Sequence, residues 1–493
     1  GLKTAFLITH AQAQAVTGAG KIFGRWNAIS RIDLLEDAGI HRLPGLSYRY
    51  AGPIPTQLGL SIDADTLQPI TLTPPEDFPA AEYLPEAAVF HLMQNQNVLV
   101  IEPGGGLGAL QVVSGEARKI TVLLSNSLQA EAIDQSIDFG NIYQHSSIQM
   151  EHQDARNYLE STKEKFDIIF IPLVDEYRPV ANGAFSLSEN YSLTVECFES
   201  AIKVLEPDGV LMISRWLQTP PSESVRVFTT LLEAVSKDNP EDLENIFIAF
   251  RSIQTMTILM RPSGWGGEEL KVIQEFVSDR NYDLVWYPGV TDSDVNQNNK
   301  LQEPQYYFIF KDLLRAGDRG MIYRSYPFDI SPPTDNHPFF YHFFKWGQTG
   351  DIIATLGHTW QPFGGSGFLV LFALLILVIL ISIVLILLPL LLSGDKVRKK
   401  IIKVHQRQYL KSFIYFTFLG FAFLFVEIPL IQKAILLFGK PIFAFTAVVF
   451  TVLFFSGLGS ATARTSALSS KMIMVLLPIF ALITPVLFNT LIR

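Results

Sequence analysis

The sequence predicts an α/β chain in three parts: a small β-rich N-terminal domain, a doubly wound Rossmann-like parallel sheet, and a C-terminal bundle of about four transmembrane helices. Three observations predict it. Between Val98 and Met260, short apolar runs alternate with amphipathic stretches, the pattern of a parallel sheet covered by helices on both faces. One of those runs leads into a Gly-rich turn in VLVIEPGGGLGAL, Val98 to Leu110, where such sheets bring backbone close to a nucleotide. From Gly367 to Ser393 stand 27 residues without a charge, more than the roughly 20 that cross a bilayer as a helix.

The elements follow in order. Residues 1–77 form the β-rich domain, with short strands at Ile29–Leu35, Leu46–Ala51, Leu58–Ile62 and Ile70–Thr73. Pro44-Gly45, Gly52-Pro53 and Pro74-Pro75 break them, since proline and glycine punctuate strands. Residues 78–280 form the Rossmann-like domain, opening on a helical pattern over 78–95. Its strands are Val98–Glu102, Ile120–Leu124, Ser147–Met150, Phe166–Pro172, Val210–Ser214, Ile246–Phe250 and Thr255–Met260. Its helices are Leu128–Asp134, Asp154–Ser161, Leu193–Val204, Ser222–Ser236 and Glu268–Ser278, besides the one after the Gly-rich turn. Residues 281–366 are polar, aromatic and Pro-rich, with Tyr287-Pro288-Gly289 and the run Pro333 to Phe340. They read as a lid or collar between sheet and membrane. Residues 367–493 hold the apolar segments Gly367–Ser393, Leu410–Phe438, Pro441–Ala461 and Met472–Ile492. The chain opens on Gly1, and residues 1–20 show neither a signal-peptide pattern nor a span. The polypeptide is therefore processed or part of a longer one.

Charge is segregated. Residues 367–493 carry twelve Lys or Arg and two acids, Asp395 and Glu427. The rest of the 38 basic and 47 acidic residues leaves residues 1–366 with a net charge of −19, against +10 for the tail. Such an acidic part does not bind nucleic acid and is repelled by anionic headgroups. Cys197 is the one cysteine, so there is no internal disulfide, and a helix position makes it a buried small apolar residue. The nine histidines form no HxxxH or HExxH pattern, and no metal is expected.

The loop Gly394–Lys411 holds Lys396, Arg398, Lys399, Lys400, Lys403, Arg407 and Lys411 against one acid, Asp395. Gly347–Ser366, on the other side of the first span, has no Lys or Arg. The positive-inside rule puts loop 394–411 in the cytoplasm and residues 1–366 outside it. Membrane lipids are one partner. Glu427 sits inside the second apolar segment, and Gly457 and Gly459 lie among small residues in the third. A buried acid that needs a counterpart and small residues that let helices approach point to another membrane protein subunit as a second partner.

The strings VLVIEPGGGLGAL, KITVLLSN, HQDARNYL and FDIIFIPLVD, in that order and spacing, resemble the spermidine synthase (polyamine aminopropyltransferase) family, which has a class I methyltransferase-like fold. Segments Phe185–Trp216, Pro332–Trp346 and Leu419–Pro441 resemble its membrane-fused branch. The resemblance implies aminopropyl transfer from decarboxylated S-adenosylmethionine to putrescine. Carried over residue by residue, it makes Gly104, Gly105 and Gly106 the cofactor-binding turn. Asp154 becomes the acid that pairs with the adenine, and Asp175 the second acid of the active loop, a candidate catalytic residue. Two positions depart from the pattern. The ribose-binding acid falls on Leu124, with Asn126 the nearest polar residue, and the proton-accepting aspartate falls on Pro172. A proline cannot take a proton from an amine, and a leucine makes neither of the charge-assisted bonds that hold a ribose.

Each residue also has a structural role open to it. The three glycines fit a tight strand-to-helix turn, Asp154 a helix N-cap, and Asp175 a loop acid. With two acids lost and the domain outside the cytoplasm, the expectation is a vestigial nucleoside site with no cofactor. The chain is then a non-catalytic binding or assembly subunit of a membrane complex. The alternatives are an active aminopropyltransferase or S-adenosylmethionine-dependent methyltransferase, using S-adenosylmethionine or its decarboxylated form, and a polyamine- or cation-sensing protein.

Overall fold

The computed structural model describes residues 20–64, 66–136, 141–175, 186–237, 242–350, 366–392 and 406–462, with the short pairs 10–11 and 14–15. They fall into two units, divided after Leu369.

The first unit opens with an antiparallel sheet of β1 (Gly20–Trp26), β2 (Arg31–Glu36), β3 (Gln57–Ile62) and β4 (Thr66–Thr71), paired in chain order. Strand β1 escapes a reading by periodicity because Phe23 is its one buried residue. The strand expected at Leu46–Ala51 is absent. Those residues form turns, with the Leu46 amide donating to the Leu43 carbonyl and the Tyr50 amide to that of Ser47. Gly45 at φ +83° and Gly52-Pro53 leave no room for a ladder there.

Helix α1 (Ala87–Leu92) leads into an eight-stranded sheet. Its elements are β5 (Asn97–Ile101), α2 (Leu107–Ser114), β6 (Lys119–Leu123), α3 (Ser127–Ser136), β7 (Ile148–Glu151), α4 (Ala155–Ser161) and β8 (Phe166–Ile171). Then come α5 (Val195–Val204), β9 (Leu205–Trp216), α6 (Glu223–Ser236), β10 (Phe247–Arg251), β11 (Thr255–Met260), α7 (Gly267–Asp279) and β12 (Asp283–Trp286). The strand order is β12-β10-β11-β9-β8-β5-β6-β7. Strands β5 to β9 are parallel, as expected. The other three are antiparallel, which corrects the expectation of a parallel sheet throughout. Only Ser252 to Gln254 separate β10 from β11. A parallel return needs a crossover of a dozen or more residues, so that short link enforces a hairpin.

Alternation along the strands builds two cores. Val98 and Val100 face one side, where the N-terminal sheet adds Ile32, Leu34, Leu60 and Ile70 to the same apolar cluster. Leu99 and Ile101 face the other, under α5, α6 and α8 (Gln305–Arg315), which the short α9 (Arg319–Ser325) follows. Strand β12 lies beyond the expected boundary at residue 280 and extends the sheet. The run 328–343 is likewise built into the second core through Phe328, Ile330, Phe340 and Phe343. This part of the segment read as a collar is therefore packed against the sheet's own helices.

Arg226 on α6 ties that run down. Only 4% exposed, it donates to the carbonyls of Ser331 (3.0 Å), Phe340 (2.9 Å) and His342, and lies 3.7 Å from Asp329. Thr229 adds a bond to the Ile330 carbonyl at 2.7 Å.

In the second unit, α10 (Ser366–Leu392), α11 (Gln406–Phe438) and α12 (Pro441–Thr462) contain three stretches long and apolar enough to cross a membrane, Phe368–Leu385, Lys411–Phe438 and Pro441–Ala461. Gly439 at φ +65° ends α11 and Pro441 starts α12, the usual asymmetry of helix ends. The fourth expected segment, Met472–Ile492, lies outside the described residues.

Arg226→Met is expected to leave three carbonyls without this donor and Asp329 without its guanidinium neighbour, costing about 3 kcal/mol. Chemical denaturation of the detergent-solubilised protein measures the loss. Amide exchange should rise across residues 328–343 while β5 and β8 stay protected.

Candidate functional site

The site sits where the strand order reverses, between β5 and β8, the crevice in which open α/β sheets place ligands. Strand β5 ends at Ile101, and the chain turns through Glu102 (φ +50°), Gly104 (φ +56°) and Gly106 (φ +94°) into α2. Glycine costs nothing at such angles.

The chain's own residues cover this turn. A Cβ on Gly105 would fall 2.3 Å from the Pro69 carbonyl oxygen in β4, and one on Gly104 would fall 2.1 Å from Gln68 Oε1. A Cβ on Gly106 would meet Ile142 Cγ2 at 2.7 Å. The Tyr143 hydroxyl donates to the Gly104 carbonyl at 2.6 Å. Gly105 is thus required by packing against backbone, and Gly104 and Gly106 by their positive φ, with Ile142 also close to Gly106.

The neighbouring positions are also engaged. Leu124 is fully buried, its amide bonded to the Glu151 carbonyl and its carbonyl accepting from His152 Nδ1. Asn126 is 4% exposed. Its amide oxygen accepts from Asn27 Nδ2 and its nitrogen donates to Ser30 Oγ, both at 2.7 Å. It latches the N-terminal sheet to the start of α3. Asp154 caps α4, accepting from the Arg156 amide at 2.9 Å.

An open cleft of about 760 Å³ remains beside the turn. Its walls come from residues 41–46, the β4 segment Leu67–Pro69, the ends of β5 and β8, the end of β9, and Ile253-Gln254. Of the six residues singled out from sequence, Gly105 and Asp175 line it, while Gly104, Gly106, Asn126 and Asp154 do not. The Asp175 carboxylate accepts from the Tyr341 hydroxyl at 2.6 Å, and its backbone carbonyl accepts from the Trp216 indole at 2.7 Å. Pro172 faces a smaller cavity behind the cleft. No cluster of three potential metal ligands occurs among the described residues. Cys197 is buried.

Two acids were missed. Glu102 sits in the Gly-rich string itself and accepts from the Ser125 amide at 2.8 Å. Burial pushes its pKa up to about 7, with Asp154 adding to the rise. Burial also raises Asp154, against the pull of the Arg156 and Asn157 amides. The other missed acid is Glu86, a lone carboxylate in the apolar run LPEAAVF. It is 9% exposed and accepts from Ser214 Oγ at 2.9 Å. Burial takes it, too, to about 7. The only sequence signal for Glu86 is an acid where periodicity demands an apolar residue.

No family model matches the chain. A polyamine aminopropyltransferase of Oceanobacillus iheyensis is 24% identical over 163 residues, 32% of this chain and 30% of that protein's length. Among solved structures, a spermidine synthase from Thermotoga maritima is 19% identical, covers 59% of this chain and 87% of its own, and has a TM-score of 0.36. A probable spermidine synthase from Corynebacterium glutamicum is 14% identical over 52% of this chain and 86% of its own, with a TM-score of 0.35. The sequence match agrees with the resemblance carried by the motifs: the chain is spermidine synthase-like, with apolar helices added.

Glu86 yields a pH test. Its folded pKa lies above the ordinary carboxyl value of about 4.5, so the folded state holds the extra proton. Stability is then fully present below the unfolded value and falls as pH rises toward 7, by about 3 kcal/mol. Glu86→Gln should remove that loss. Its melting temperature relative to the parent should climb between pH 4.5 and 7 and level off above.

Proposed function

We propose that this chain is a membrane-anchored, spermidine synthase-like protein that binds or assembles and does not catalyse group transfer. The observation that carries this reading is the packing of Pro69, Gln68 and Tyr143 onto the Gly-rich turn. An adenosyl nucleoside needs the turn's backbone and an acid for the ribose. Here β4 lies against the backbone, leucine stands at the acid's place, and Asn126 is committed to Asn27 and Ser30. Pro172 removes the carboxylate that would take a proton from an attacking amine. The residues present do not suit the nucleoside. The cleft beyond the turn stays open, which favours a second reading, recognition of a polyamine or other cation without turnover.

The membrane part supports the same view. One span suffices for anchorage, yet three candidate spans stand among the described residues. A Cβ on Gly457 of α12 would meet nothing within 4 Å, a face to which a helix of another membrane protein can come close. The basic loop 394–411 faces the cytoplasm in this reading and residues 1–366 lie outside it, away from cytoplasmic adenosyl metabolites.

Calorimetric titration with S-adenosylmethionine, its decarboxylated form and methylthioadenosine should give no heat at micromolar concentrations. Micromolar binding of any of them would overturn the proposal. Leu124→Glu alone should not restore binding, because β4 still lies on the turn.

Protease added to intact cells or to vesicles with a known outer face should cleave within residues 1–366. Cleavage that appears only once the cytoplasmic face is opened would reverse the topology.

A further inference from the structure

The run that Arg226 ties down continues to Trp346, and its aromatic residues meet the foot of α10. The Phe344 ring stacks on Phe368, with centroids 4.9 Å apart. The Trp346 indole stands edge-on to both, 5.3 Å from Phe344 and 5.8 Å from Phe368. The His342 ring lies 5.2 Å from Phe368. All four rings belong to the first unit, which runs to Leu369. Phe344 is 5% exposed and Trp346 60%. A large indole is thus left open at the point where the chain enters its first apolar helix.

Phe368 sets the depth of this cluster. The 27 residues of α10 make about 40 Å of helix. A hydrocarbon core is about 30 Å thick, and a bilayer with its headgroups about 40–45 Å. The first charges after α10 are Asp395 and Lys396, which belong in the headgroups of the far side. Phe368 then falls between the near hydrocarbon edge and the near headgroups, and the Trp346 ring beside it falls in the same layer. Tryptophan suits that layer, because its ring is apolar and its N–H donates a hydrogen bond.

Lys345 carries the same surface to α9. Its ammonium donates to the carbonyls of Tyr323 at 2.5 Å, Tyr326 at 2.7 Å and Arg324 at 3.4 Å, around the C-terminal end of that helix. Met321 is 63% exposed, and Arg324, three residues on, shares its face of α9. The cations here are already engaged. Lys345 holds carbonyls, Arg319 holds the Leu313 carbonyl and the Ser236 hydroxyl, and Arg324 lies 3.7 Å from Asp318. What this surface offers is apolar side chains.

We propose that Trp346 and the Met321 face of α9 form a lipid-binding seat, inserted into the headgroup layer of the bilayer that α10 crosses. The occupant is lipid because the patch is continuous, through Phe344 and Phe368, with a helix exposed at every residue from Val370 to Leu385. Insertion is apolar, so salt should not disturb it. The seat turns the side of the sheet that carries α6 and α8 toward the membrane. Helix α7 packs in the other core and stays in water. The proposal rests on α10 spanning the membrane, and it is independent of what the cleft binds.

The test is nitroxide accessibility on the full chain in lipid nanodiscs, with Met321→Cys, Trp346→Cys, Leu377→Cys in α10 and Lys271→Cys on α7 labelled one at a time. The native Cys197 is buried, and the parent carried through the same labelling supplies the blank. Oxygen concentrates among acyl chains and an aqueous nickel chelate is kept out of them. Leu377→Cys should report lipid and Lys271→Cys water, with Met321→Cys and Trp346→Cys between them. A second measurement needs no label. The indole emission that Trp346→Phe removes should be the emission that brominated lipids quench, equally at low and high salt. Melting curves establish that each variant is folded. The seat is overturned if Leu377→Cys reports lipid while Met321→Cys or Trp346→Cys reports water. It is overturned equally if Lys271→Cys reports lipid, if salt abolishes the quenching, or if both seat labels are shielded from both reagents, which means that a second copy or another protein covers them. Water at Leu377→Cys would instead defeat the spanning of α10, and the seat with it. The nucleoside titration is untouched by any of these outcomes.

Discussion

The close approach of the Pro69 carbonyl to Gly105 is the contact on which the rest of the site depends. It requires a residue without a side chain at 105, and it brings β4 down onto the end of β5. That position sets the wall of the cleft, puts Gln68 against Gly104, and brings Asn27 and Ser30 within reach of Asn126. The apolar cluster shared by Ile32, Leu34 and Ile70 with Val98 and Val100 holds the two sheets in that register. A Gly-rich turn ordinarily presents bare backbone to a ligand. Here the partner brought close to it is another strand of the same chain.

The electrostatics follow from this closure. Glu102 and Asp154 sit near one another, and Glu86 lies behind the cleft with no ion pair among the described residues. Elsewhere the fold pairs its buried charges. Asp33 meets Arg31 and Lys21, Arg226 meets three carbonyls and Asp329, and Asp335 meets Arg156 and Thr194. Glu86 and Glu102 differ from these in having no ion pair among the described residues, and burial raises both. Burial of a carboxylate without a cation raises its pKa because the charged form loses water and gains little in return.

The segment before the first apolar helix takes a structural role of the same kind. Asp335 in the run Pro333 to Phe340 reaches Arg156 on α4 and Thr194 at the cap of α5, and Arg226 holds the following stretch. A run read from its composition as a collar is part of the core because Phe328, Ile330, Phe340 and Phe343 are buried in one cluster with residues of α5, α6 and α8.

What the sequence by itself determined was local. Val98–Glu102 and Phe166–Pro172 are legible as strands because continuous apolar runs between turn signals have few other uses, and each matches an observed strand to within a residue or so. The first apolar helix is legible from length without charge. The capping role open to Asp154 is legible because a cap is written within one helical turn. The antiparallel hairpin β10–β11 could have been read from its three-residue link. The edge strand β1 could not, because it buries a single apolar side chain. Tertiary structure alone decided the site. Glu86 and Ser214 are 128 residues apart, and Asn27 and Asn126 are 99 apart. Contacts across that separation depend on how two sheets stack, and stacking leaves no period in the chain. The three glycines announce that something approaches closely, and only the packed sheets reveal that it is Pro69, Gln68 and Ile142.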